Sequence, residues 1–88
     1  MVVADAGRGD WILCQVTSNP YGDLRAVELT NASFAAGTLR VTSYARPGKL
    51  FTASSDLLVS AIGVLTADSR NGIAGAIIAL LRAGDPTA

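Results

Sequence analysis

The spacing of apolar residues changes once along this chain, near Thr66, and that change constrains the fold more than any other feature. Before it, short stretches alternate apolar and polar residues with period two; after it, apolar positions recur at helical spacing. Trp11 to Ser18 alternates, with Ile12, Cys14 and Val16 on one face and Trp11, Leu13, Gln15 and Thr17 on the other. Asn19-Pro20-Tyr21-Gly22-Asp23 has proline preset for the second position of a tight turn and glycine at its close. The chain is therefore expected to double back, with Arg25 to Thr30 as the second strand of a hairpin, Val27 and Leu29 inward and Glu28 outward.

The following segments keep the short spacing. Asn31 to Gly37 reads as a connector whose Phe34 plugs the core. Thr38 to Tyr44 alternates again, with Leu39, Val41 and Ser43 on one side and Arg40, Thr42 and Tyr44 on the other. Arg46-Pro47-Gly48-Lys49 is expected to end that strand, because proline gives no hydrogen bond to a ladder. Lys49 to Ala53 and Leu57 to Leu65 are two more β-rich stretches, with Gly63 marking a bulge or a close approach. Met1-Val2-Val3-Ala4 reads as the stub of a further strand, and Gly7-Arg8-Gly9-Asp10 breaks it from Trp11.

From Thr66 the pattern predicts a helix over about 67–82, with Thr66 as N-cap, Asp68 in the first turn, and Ile73, Ala76, Ile77, Leu80 and Leu81 on one stripe. Gly72 and Gly75 each cost about 0.5–1 kcal/mol relative to alanine, so packing must hold this helix. Gly84-Asp85-Pro86 stops it. The fold class is mainly β with a C-terminal α-helix, a small barrel or curled sheet, in one domain spanning 1–88. A chain of 88 residues has a net stability of roughly 4–13 kcal/mol, enough to fold alone with little reserve.

Composition removes several kinds of chemistry. The chain has no histidine and one cysteine, which excludes imidazole-based triads, the paired-histidine route to RNA cleavage and most zinc sites. No metal and no cofactor is expected. Cys14 lies in the apolar run Trp11-Ile12-Leu13-Cys14 and reads as packing material. Seven basic and seven acidic residues argue against a general nucleic-acid coat protein, while a local basic patch remains compatible. No apolar run approaches the roughly 20 residues of a bilayer crossing, and the first residues lack the layout of a secretion signal. The expected location is the cytoplasm, with no membrane contact.

Three stretches in order carry a resemblance: Gln15-Val16-Thr17-Ser18-Asn19-Pro20, then Thr42-Ser43-Tyr44-Ala45-Arg46-Pro47-Gly48-Lys49-Leu50-Phe51-Thr52, then Ile62-Gly63-Val64-Leu65-Thr66 before a terminal helix. Together, across about residues 2–82, they resemble the MazF/PemK (Kid) family of toxins from bacterial toxin–antitoxin pairs. The resemblance implies an SH3-like barrel, usually a homodimer, that acts as a metal-independent, sequence-selective endoribonuclease on single-stranded RNA such as mRNA. It also implies a cognate antitoxin whose flexible tail folds over the RNA groove.

Family members begin with a strand of the Gly-Asp-Ile/Val-Val type, a loop, and an Arg-Pro-Ala-Leu-Val-Leu segment with a catalytic arginine. Met1-Val2-Val3-Ala4-Asp5 matches the end of that segment, so the first strand, the loop and the arginine are expected to be missing here. A barrel without its first strand has an open edge, which predicts obligate association. In the Kid branch an arginine and an aspartate act as acid and base near the positions of Val41 and Ser43, and neither residue type stands there.

The resemblance assigns Thr17 and Ser18 to the scissile phosphate; from the residues alone, the pair reads as the end of a strand before a turn. Arg40 or Arg46 is the candidate to stabilise phosphate charge, and the candidate catalytic set is Thr17, Ser18 and Arg40. Gln15, Thr42, Tyr44, Arg46 and Lys49 are the candidate RNA-binding residues, combining charge, a hydroxyl and a stacking ring. For Lys49 a solvated edge charge is an equal reading. Glu28 stands on an outward face, Asp10 and Asp23 read as turn residues, and Trp11 and Tyr21 are candidate contacts for a base or an antitoxin side chain. Two alternatives remain: a catalytically inactive family member that binds antitoxin or RNA, and an unrelated SH3-like interaction domain.

Overall fold

A computed structural model of the chain describes residues 1–57 and 63–87. Strand β1, Val2–Gly7, turns through Arg8 and Gly9, both at positive φ, into β2, Asp10–Thr17. The short β3, Val27–Leu29, leads through a 3₁₀ turn at Asn31–Ser33 into β4, Phe34–Gly37. The long β5, Ser43–Ser54, precedes a 3₁₀ turn at Ser55–Leu57; β6, Gly63–Leu65, precedes the helix α1, Ala67–Ala83. One antiparallel sheet has the order β1-β2-β5-β3, and β4 pairs with β6 in a two-stranded ribbon. The fold is mainly β, a curled sheet with one C-terminal helix. Of the expected strand over 57–65, positions 58–62 lie outside the described residues.

The expected hairpin between Trp11–Ser18 and Arg25–Thr30 does not form. β5 lies between β2 and β3, pairing Thr17 with Tyr44 and Tyr44 with Glu28. The tight turn exists but sits one residue later than proline placement predicts: the Asp23 N–H donates to the Pro20 carbonyl at 2.9 Å, with Tyr21 and Gly22 central at φ 53° and 74°. That is a type I′ geometry, and Gly22 adopts it without steric cost.

Two further expectations are corrected within β5. Thr38 to Thr42 is a loop, and the strand begins at Ser43; the Asn31 side-chain oxygen captures the Leu39 N–H at 2.8 Å, a bond that competes with a ladder. The strand then runs through Pro47-Gly48 instead of ending there. The register passes from Cys14 opposite Leu50 to Gln15 opposite Arg46, so Pro47, Gly48 and Lys49 form a bulge that faces no residue of β2. No ladder bond is asked of proline at that point. The Pro47 side chain is fully buried, and a Cβ on Gly48 would lie 3.5 Å from Leu80 Cδ2, which places the bulge beneath the helix.

The core joins Cys14, Leu29 and Ala45 of the sheet to Ile73 and Ile77 of the helix, with Val3, Val27, Leu39 and Leu65 packed around them. Cys14 therefore acts as packing; its thiol is free, and burial pushes its pKa above the ordinary value. The Thr66 side chain caps the helix by accepting from the Ser69 N–H at 3.1 Å. Ile73, Ala76, Ile77 and Leu80 follow the expected stripe, whereas Leu81 is 65% exposed. Near the N-terminus of α1, Arg70 donates to the Val2 and Val3 carbonyls at 3.2 and 3.0 Å and ties the helix to β1. Gly63 is a close approach, since a Cβ there would stand 2.6 Å from the Ala36 carbonyl oxygen and 2.7 Å from the Phe34 ring.

Gly72 and Gly75 face open space. Replacing either with alanine is expected to stabilise the protein by about 0.5–1 kcal/mol and raise Tm by a few degrees, because the helix gains propensity without a clash. A calorimetric Tm that falls in both variants would show that these glycines serve a contact absent from this packing.

Candidate nucleic-acid interface

Along Ser43–Pro47 burial alternates. Ser43, Ala45 and Pro47 are buried, while Tyr44 and Arg46 are half-buried on the opposite face. Cross-strand pairing then sets their neighbours: Gln15 stands opposite Arg46, Thr17 opposite Tyr44, and Glu28 opposite Tyr44 on its other side. Four of the residues expected to bind RNA or act on it, Gln15, Thr17, Tyr44 and Arg46, thus share one sheet face away from the helix.

Arg46 is the hub of that face. Its Nε donates to Asp23 Oδ2 at 2.9 Å, its NH1 donates to Gln15 Oε1 at 3.2 Å, and its guanidinium lies 5.8 Å from the Tyr21 ring centre. A guanidinium carries five N–H donors, and two are committed among the described residues, which leaves three. Asp23 reaches Arg46 because the type I′ turn carries it over β5, and its second oxygen accepts the Arg25 N–H at 2.9 Å. The result is an arginine held in a fixed plane with donors to spare, a geometry suited to phosphate oxygens.

The hydroxyls are placed differently. Thr17 Oγ1 donates to the Asn19 carbonyl at 3.1 Å and accepts the Asn19 N–H at 3.2 Å, which closes the end of β2 as the strand-ending reading expects. Ser18 is exposed beside it. Arg40 and Thr42 stand apart from the Arg46 cluster: with Thr30, Asn31, Leu39 and Val41 they line a hollow of about 400 Å³. Lys49 is exposed in the β5 bulge.

Asp23 and Tyr21 complete the cluster, although sequence reading placed the first only in a turn. Its signal was present in Pro20-Tyr21-Gly22-Asp23, but its partner depends on β5 lying beside β2. Among the described residues no group of three or more His, Cys, Asp or Glu side chains is arranged to hold a metal ion.

The Arg46 hydrogen bond, followed by the Arg25 N–H, holds the Asp23 carboxyl below the usual carboxylate range. The sign follows directly: the unfolded chain takes up this proton first, so the contribution is present above about pH 4 and disappears as pH falls through the lower folded value. Denaturation midpoints measured from pH 6 down to pH 2 should fall less steeply for Asp23→Asn than for wild type. Equal slopes would remove Asp23 from the acid response.

Searched against known protein families the chain matches none, and no curated protein matches it. No helix among the described residues is long and apolar enough to cross a membrane.

Proposed function

We propose that the face built from Gln15, Thr17, Tyr44 and Arg46 binds single-stranded RNA, and that the protein is a metal-independent endoribonuclease toxin with an SH3-like barrel of the MazF/PemK type. The observation that supports this most is the Arg46 cluster: one oriented guanidinium with three uncommitted donors, bordered by an amide, a hydroxyl and two aromatic rings. Single-stranded RNA is recognised by that combination, with charge for the backbone and rings for unstacked bases.

Cleavage through the ribose 2′-OH needs a base, stabilisation of a crowded phosphorane and a proton for the leaving oxygen. Arg46 is the electrostatic clamp. Thr17 and Ser18 supply hydroxyls at the strand end, and Thr17 must exchange its Asn19 bond for the phosphate. Glu28, exposed beside Tyr44, is the carboxylate placed to act as base, because Asp23 is committed to Arg46. Arg40, in the neighbouring hollow, meets the RNA chain as it leaves this face. The partners are a cognate antitoxin that covers the same surface and a second copy of the chain at the open sheet edges, in the bacterial cytoplasm.

One observation favours a binding module without cleavage: the Thr17 hydroxyl is engaged on both sides by the Asn19 backbone, and the carboxylate nearest the guanidinium, Asp23, is held by Arg46. Incubation of the purified protein with a mixed-sequence RNA in EDTA separates the two readings. Cleavage at a short sequence, reduced at least tenfold in Thr17→Ala and in Glu28→Gln while Glu28→Gln still binds, is the expected outcome. Binding without cutting selects the module, and neither binding nor cutting eliminates both.

A further inference from the structure

Among the described residues Tyr21 is the one aromatic held at positive φ, 53°, a region that bulky L-residues avoid and that asparagine or glycine occupies readily. The type I′ turn fixes it there: Asp23 N–H bonds to the Pro20 carbonyl, and the Asn19 side-chain oxygen accepts the Tyr21 N–H at 2.9 Å. Tyr21 is 71% exposed, the Arg46 guanidinium backs its ring at 5.8 Å, and Asp23 bonds to that guanidinium. Packing does not account for a tyrosine at this position, since the ring lies outside the core. Strain of this kind concentrates where a ligand is held.

We infer that Tyr21 is a nucleobase-stacking residue: an unpaired base of the bound RNA lies on the open face of the Tyr21 ring while its neighbouring phosphate takes the spare donors of Arg46. The inference rests on the RNA-binding reading of this face and adds to it the contact that receives a base. The base is required to be unstacked, so the site selects single strands over duplex. The Tyr21 ring takes the base and the Arg46 guanidinium beside it takes the adjoining phosphate, so one nucleotide is gripped at two points, which sets the register of the chain across the sheet.

The test is equilibrium binding of a fluorescent single-stranded RNA to the full chain carrying Tyr21→Asn or Tyr21→Trp. Asparagine suits the turn, so that variant is expected to melt at or above the wild-type temperature while losing about 5- to 150-fold in affinity, the span of one lost base stack. Tyr21→Trp offers a larger face and is expected to bind about two- to fivefold more tightly. RNA bearing 2-aminopurine should be quenched by the wild-type protein at one position and not by Tyr21→Asn. Binding of Tyr21→Asn within twofold of wild type, or of Tyr21→Trp as weak as the asparagine variant, overturns the stacking role while leaving the RNA face standing. A wild-type protein that binds no single-stranded RNA overturns both.

Discussion

Ile73→Ala is expected to lower stability by about 2–5 kcal/mol and Tm by at least about 10 °C. Ile73 has no exposed surface, and it is where the helix meets Cys14, Leu29 and Ala45 of the sheet. Cys14, Leu29 and Ala45 are themselves held in paired strands, which limits how far they can move into the space that alanine leaves. Against a total of roughly 4–13 kcal/mol, this one truncation leaves the chain at the margin of folding. Leu81→Ala, on the exposed side of the helix, should change stability by less than about 0.5 kcal/mol. Urea denaturation of the two variants checks the pair. A small effect at Ile73 would mean that the helix is not what closes the core.

Arg46→Ala is expected to weaken single-stranded RNA binding by about 10- to 100-fold and to reduce the slope of log affinity against log salt by about one. The first effect is the loss of charged hydrogen bonds to a phosphate, and the second is the loss of one released counterion. Stability should fall as well, since the Arg46 and Asp23 side chains are each only 17% exposed and the truncation leaves the Asp23 carboxylate without its charged partner; the salt slope separates the binding effect from that loss. A Lys at this position should recover part of the salt slope and little of the affinity, because an ammonium cannot hold Asp23, Gln15 and a phosphate in one plane. Titrations at several salt concentrations measure both quantities. An unchanged affinity in Arg46→Ala would exclude Arg46 from the interface.

Local signals were readable in the sequence and pairing was not. The Thr66 cap, the Ile73 and Ile77 spacing and the close approach at Gly63 each depend on a few neighbouring residues, and each stands where the pattern put it. The partner of Trp11–Ser18 depends on which distant strand arrives beside it, and the turn at Pro20–Asp23 pointed to the nearer one. β5 takes that place because a bulge at Pro47 lets one long strand follow β2 from Asp10 to Thr17, and proline in sequence reads as an end. The candidate site shows the same division. Gln15, Thr17, Tyr44 and Arg46 were legible as residue types, whereas Asp23 as the partner of Arg46 follows only from β5 beside β2. Arg40 illustrates the converse: alternation put it on the face of Tyr44, but the Asn31 bond to Leu39 turns that segment into a loop around a separate hollow.

The surface claim is tested most directly by following the backbone amide resonances of the isotope-labelled protein during titration with a single-stranded RNA. The largest shifts are expected at Gln15, Thr17, Tyr44, Arg46 and the Tyr21–Asp23 turn, with α1 little affected. Shifts concentrated on the helix, or in the Asn31–Thr42 hollow with the Arg46 cluster silent, would contradict it.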